Sequence, residues 1–194
     1  MCYSAAMSLV FFLMSAGLLF TPGPTNTLLA VGGAMAGLRR SWLLPLAELA
    51  GYMAAIHLLA FALGPMVQAT SAKILLRLGL GLYLLWLALR LWRSDAALLP
   101  RQTVTPTKVF IVTLLNPKAL VFAFVVLPPL AGGWSAARPQ LLALTAMILA
   151  ASLSWIGLGA ALAQGRMMHP RWIARVGAIV LAGFALLLAL SALR

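Results

Sequence analysis

Acidic residues are nearly missing from this chain: its 194 residues hold two, Glu48 and Asp95, against 14 Lys and Arg and a formal charge of +12. A single cysteine, Cys2, excludes an internal disulfide, a CxxC pair and a thiolate metal cluster within one chain. Charge of any kind is scarce. It makes up 8% of the residues, where a soluble domain has about 25%. No Ser-His-Asp set, metal triad or P-loop is present, so the sequence implies neither an enzyme nor a cofactor. What is abundant is apolar surface, with 64% hydrophobic residues and a mean hydropathy of +1.07. That composition describes an all-α integral membrane protein, because a chain in lipid must pair its backbone groups within helices or a closed barrel. The basic residues form no stripe with interleaved aromatics, which argues against nucleic acid as a partner.

A transmembrane helix needs about 20 mostly apolar residues to cross a hydrocarbon core of about 30 Å. Six windows meet this requirement: 5–31, 42–66, 72–92, 107–130, 140–163 and 172–193. The first is expected to stay in the mature chain, since it lacks a basic n-region and exceeds the length of a signal-peptide core. Arg39, Arg40, Arg90, Arg93, Arg101, Lys108, Arg166, Arg171 and Arg175 flank the first, third and fifth connections, whereas Lys73, Arg77, Arg138 and Arg194 lie on the other side. The positive-inside rule therefore predicts cytoplasmic odd-numbered loops, with both termini facing outward. Trp42, Trp92, Trp134 and Trp172 fall near predicted span ends, where indoles favour the interface.

The polar stretch 94–106 (SDAALLPRQTVTP) divides the chain into residues 1–93 and 107–194. It reads as a cytoplasmic linker between two three-helix halves of a single membrane domain. With three spans per half, the second half enters the membrane from the opposite side, the geometry of an inverted repeat. Both halves contain a broken first span. Pro22, Gly23, Pro24, Thr25 and Asn26 interrupt one, and Asn116 and Pro117 interrupt the other. Proline removes a backbone donor, and unpaired backbone is tolerated at membrane depth only in a protein interior or beside a polar cavity. Interruptions at corresponding places in two halves are the best sequence pointer to a transporter's substrate site. Freed carbonyls suit an ammonium and freed amides a carboxylate. A simple packing kink is the competing explanation, but it does not require the amide side chains of Asn26 and Asn116.

Two charges fall inside predicted spans. Lys118 lies roughly 16 Å into span four and Glu48 roughly 9 Å into span two, by helix rise. Intramembrane ionisable groups are functional candidates by default. Both are expected to face a central cavity, with Glu48 a proton carrier; a structural ion pair or a snorkelling surface acid is the alternative for Glu48. His57 reads as a packed or hydrogen-bonding residue and His169 as a solvated loop residue. The nine methionines are dispersed core fillers rather than metal ligands. Gly79, Gly81, Gly157 and Gly159 are read as sites of close helix approach.

At these residues the chain resembles the lysine/homoserine exporter (LysE/RhtB) family of amino-acid efflux carriers. FTPGPTNTLL at 20–29 is similar to the family's first-span PGPN-type turn, with Thr25 inserted between Pro24 and Asn26. GLRRS at 37–41 resembles its basic first loop, LGLGLYLLWLALRLWRS at 78–94 its third span, and FIVTLLNPKALVF at 110–122, with Pro128 beyond, its fourth-span NPK motif. Two departures stand out. Tyr52 replaces an acid that often follows the second glycine of span two, with Glu48 one turn earlier, and Val109 replaces a glycine before the fourth-span phenylalanine.

The resemblance implies a six-helix secondary transporter of the bacterial inner membrane that exports amino acids or derivatives, driven by the proton gradient. It carries over Pro22, Gly23, Pro24, Asn26, Asn116, Pro117 and Lys118 as the site. The expected partners are a small-molecule amino acid and the lipid bilayer, and homo-oligomerisation stays open. A small, neutral substrate is expected, because a cationic side chain would favour a second buried acid beside Glu48. The rival readings are a metal-ion exporter, which needs clustered acids or histidines; a thiol-disulfide conduit, which needs a cysteine at each break; and a membrane enzyme or scaffold.

Overall fold

The computed structural model describes residues 2–63, 70–93, 104–116, 118–127 and 134–164, with helical positions 175, 178, 179, 181–183, 185, 186, 189 and 190. Among the described residues, seven α-helices are given bounds: α1 (Cys2–Phe20), α2 (Pro24–Arg40), α3 (Leu43–Leu63), α4 (Thr70–Arg93), α5 (Pro106–Leu114), α6 (Lys118–Val121) and α7 (Trp134–Ala163). A π-helical segment, Phe122–Val126, continues α6. No strand occurs among the described residues. Most of the 94–106 linker, Pro117, Pro128, His169, Trp172 and much of the last predicted span lie outside them.

Proline chemistry sets the broken elements. Pro22 and Pro24 cannot donate to the carbonyls four residues earlier, so α1 stops and α2 restarts with Pro24 in its first turn, where a missing N–H costs nothing. The segments Leu9–Phe20 and Pro24–Arg40 are bent by 59°. In the second half, Thr105 caps α5 by accepting from the Lys108 amide at 3.2 Å. Beyond the Asn116 break, Lys118–Val126 turns 55° away from α5. Each bent pair is apolar and long enough to cross a membrane as one interrupted span. Two unbroken segments, Leu43–Ala62 and Ala137–Ala163, also qualify, while α4 has a shorter apolar stretch, Leu78–Arg90. Up to four spans are thus defined among the described residues, of the six expected.

The predicted basic loop at 37–41 is a kinked turn. Gly37 takes a left-handed conformation at φ 73°, which a residue with a Cβ rarely adopts. The chain re-enters helix through the Ser41 amide on Leu38 (3.3 Å) and the Leu44 amide on Ser41 (3.0 Å). Trp42 and Trp92 are both exposed, as interfacial indoles should be.

Packing joins elements that are distant in sequence. α2 lies chiefly on α7, and α3 on α5. A Cβ added at Gly33 would overlap the carbonyl of Ile156, and one added at Gly159 would overlap that of Ala30, so the two backbones touch at two reciprocal points. Gly51 brings α3 close to α5, though less tightly, since an added Cβ there would sit 2.9 Å from the Phe110 carbonyl. Small residues at helix contacts serve this purpose in membranes. Expectation and structure part here: Gly159 mediates close approach, but Gly79 and Gly157 face open space, and Gly33 and Gly51, not singled out from the sequence, also bring helices together. The main core gathers Phe11, Leu18, Tyr52, Leu84, Phe122 and Ile148, with Tyr52 edge-on to Phe122 at 5.5 Å. A second cluster of Leu29, Val109 and Ile156 seals α2, α5 and α7. Val109, at the position of the missing family glycine, is fully buried there.

Candidate functional site

The two breaks face each other across a buried polar cluster. At the first, Pro22 deprives the Leu18 carbonyl of the amide that would pair with it in a continuous helix. Lys118, from the far side of the second break, supplies the replacement. Its Nζ donates to Leu18 O at 2.9 Å and to Thr21 O at 2.7 Å. Lys118 is 1% exposed. Asn26 reaches back from α2, with its Nδ2 donating to Leu19 O at 2.8 Å and to Thr21 O at 2.7 Å. Trp155 Nε1 of α7 adds a third protein donor at this helix end, to Leu19 O at 3.2 Å. The end of α1 is also where the helix macrodipole is negative, so carbonyls and dipole act together on a cation.

The second break is satisfied differently. The Thr113 carbonyl, which loses its donor to Pro117, accepts from the Asn116 amide at 3.0 Å. Asn116 Oδ1 in turn accepts from the Lys118 amide at 3.0 Å, and the Asn116 carbonyl accepts from the Ala119 amide at 2.9 Å. The side chain of Asn116 thus closes an Asx-type turn over its own break. Pro117 lies outside the described residues. The two sides are therefore chemically unlike: the first break presents carbonyls held by side chains, and the second caps its own amides.

Thr25 connects the breaks. Its buried hydroxyl oxygen accepts from Asn116 Nδ2 at 3.2 Å and from Thr113 Oγ1 at 3.3 Å, while Thr113 Oγ1 also lies 2.8 Å from the Val109 carbonyl. Gly23 sits against the lysine. A Cβ there would lie 3.2 Å from Lys118 Nζ. Pro24 is exposed at the start of α2 and Pro22 half-buried, so both act through the donors they lack.

Glu48 is 1% exposed and meets the hydroxyl of Ser152 on α7. Ser152 Oγ also lies 2.7 Å from the Ile148 carbonyl. A serine hydroxyl has one hydrogen and accepting lone pairs. The same pair of atoms therefore suits both forms of Glu48: Ser152 donates to a carboxylate, or accepts from a carboxylic acid while its own hydrogen goes to Ile148. Glu48 and Lys118 lie within electrostatic range but form no ion pair, since the lysine's contacts go to α1. His57 Nδ1 is 2.6 Å from the Met53 carbonyl within its own helix, a contact that requires hydrogen on that nitrogen. Among the described residues, no three His, Cys, Asp or Glu side chains gather in a manner that could hold a metal.

Of the residues predicted from sequence, the structure brings Gly23, Thr25, Asn26, Asn116 and Lys118 into one cluster, with Glu48 on its flank. Sequence reasoning missed Thr21, Thr113, Ser152 and Trp155. Thr113 had a usable signal, since it lies one turn before Asn116 in TLLNPK. Ser152 and Trp155 had none, because their role depends on how α7 crosses α1 and α3.

A family model described as a LysE type translocator matches residues 16–192, which includes both breaks and every residue of the cluster. No curated protein matches the chain. No solved structure matches it.

Proposed function

The chain belongs to the LysE type translocator family, and from that premise we propose that it is a secondary exporter of small, neutral amino acids or close derivatives. The observation that carries this reading is the pair of broken spans meeting at a buried polar cluster, where α1 ends in carbonyls already holding an ammonium. A zwitterion needs such carbonyls for one end and polar donors for the other. We assign Asn26, Thr25 and Asn116 to this role, with Lys118 at the ammonium end of the site, beside the backbone of Pro22 to Pro24 and Pro117.

In this reading the protein sits in the bacterial inner membrane as six helices in two inverted halves, with both termini outward. Access alternates around the broken spans. Glu48 carries the coupling proton, an assignment favoured by the ability of its Ser152 contact to serve both the carboxylate and the acid. Neutral cargo follows from the two-acid composition, in which Glu48 alone falls inside a predicted span, whereas a cationic side chain would favour a second acid there. The test is counterflow in proteoliposomes loaded with individual amino acids. Accelerated exchange of at least one small neutral amino acid is expected, and absence of counterflow for every amino acid overturns the proposal.

A further inference from the structure

Lys118 ends in a primary ammonium, the group that every α-amino acid except proline carries at its α-carbon. Its ammonium is buried, donates to two carbonyls at ordinary hydrogen-bond distances, and lies against Gly23, the one residue at this turn without a side chain to displace it. Nothing about the end of α1 selects a lysine over a free primary ammonium, because the recognition is by backbone oxygens and the negative end of a helix dipole. The Leu18 carbonyl is available only because Pro22 has no hydrogen to give it. Leu19 is already claimed by Asn26 and Trp155, and Thr21 O is shared between Lys118 and Asn26, so Leu18 O is the seat's carbonyl that receives no other side chain among the described residues.

We propose that Lys118 is the resident occupant of a primary-ammonium seat formed by the carbonyls of Leu18 and Thr21, and that the transported amino acid's ammonium competes with it for that seat. The inference rests on the transporter reading and adds that Lys118 is a competitor at the ammonium end rather than a ligand of the substrate's carboxylate. A seat filled from within keeps these carbonyls paired when no substrate is bound, which matters where an orphaned carbonyl is costly. When substrate enters, Lys118 moves toward Glu48, the buried acid within electrostatic range of it on α3. Tyr52, also on α3, is a further titratable group in range of Glu48 among the described residues.

The test uses purified full-length protein in detergent, with methylammonium chloride as a probe of the seat and tetramethylammonium chloride as a control that has no N–H to donate. Lys118→Ala is expected to gain about 2–4 °C in melting temperature with methylammonium, and nothing with tetramethylammonium; wild type should respond to neither. Lys118→Gln keeps donors for both carbonyls, and so retains the fold if the alanine variant does not. It should bind a mixture of glycine, alanine, serine and threonine about five- to tenfold more tightly than wild type, since a weaker occupant leaves more of the seat competent. Equal responses to the two ammonium salts in Lys118→Ala, or weaker amino-acid binding by Lys118→Gln, overturn the inference. Failure of the transporter reading looks different: no counterflow of any amino acid by wild type, with the methylammonium response of Lys118→Ala intact.

Discussion

Lys118 Nζ donates at 2.9 Å to the carbonyl of Leu18, a residue 100 positions earlier in the chain. The bond joins the two broken spans at the point where proline has removed the local alternative. The first break thus depends on the other half of the chain for its hydrogen bonding, and the site's residues are also its structural supports.

Asn26→Ala should for this reason be a stability variant before it is a binding variant. It leaves two bonds unmade, to Leu19 and Thr21, at about 1–3 kcal/mol for each buried group that finds no substitute. Trp155 and Lys118 share those same carbonyls, so the loss should fall toward the lower end. Melting in detergent, followed by tryptophan fluorescence, measures it; an unchanged melting temperature would show that Asn26 does not hold the break.

Thr25 predicts coupling between halves. Thr25→Val removes the oxygen that receives both Asn116 and Thr113. Thr25→Val and Asn116→Ala should each destabilise, and the double variant should cost less than their sum by about 0.5–1.5 kcal/mol. Strict additivity would mean that the two side chains do not interact.

Glu48→Gln should abolish uptake driven by a pH gradient across vesicles while sparing counterflow, which needs no net proton movement. Ser152→Ala removes the hydroxyl that serves either form of Glu48 and should reduce gradient-driven transport without eliminating it. A Glu48→Gln protein with wild-type gradient dependence removes Glu48 from the coupling step.

The glycines separate cleanly. Gly33→Ala and Gly159→Ala drive a methyl into a backbone carbonyl on the facing helix, and overpacking of this kind costs typically about 1–3 kcal/mol. Gly79→Ala and Gly157→Ala enter open space and should be neutral or stabilising by up to about 1 kcal/mol, through helix propensity. Melting temperatures of the four variants decide it. Tolerance at Gly33 would contradict the close backbone approach.

Much of this architecture was legible in the sequence, for a local reason. Proline's missing hydrogen is a property of one residue, so the breaks at Pro22, Pro24 and Asn116-Pro117 could be located without knowing any neighbour. The depth of Lys118 and Glu48 followed from counting along helices. What sequence could not supply was direction. Lys118 and Glu48 were expected to face one cavity, yet the lysine's hydrogens go to α1 and the glutamate's contact is Ser152. Which way a side chain points depends on the crossing of helices far apart in the chain. The paired glycines near residues 80 and 158 had the right spacing for helix contact, but Gly159 meets a neighbouring backbone while Gly79 and Gly157 do not, and Gly33 and Gly51 do so without any paired motif to advertise them.

The reciprocal contacts of Gly33 with Ile156 and Gly159 with Ala30 have a mechanical outcome. Two rods touching backbone to backbone at two points cannot roll or slide past each other without lifting apart, so α2 and α7 behave as one stiff beam shared by both ends of the polypeptide. Bending is left to the stretches beside the beam where the helical ladder is already cut, at residues 21–23 and 115–116, which makes them the joints about which α1 and α6 can swing.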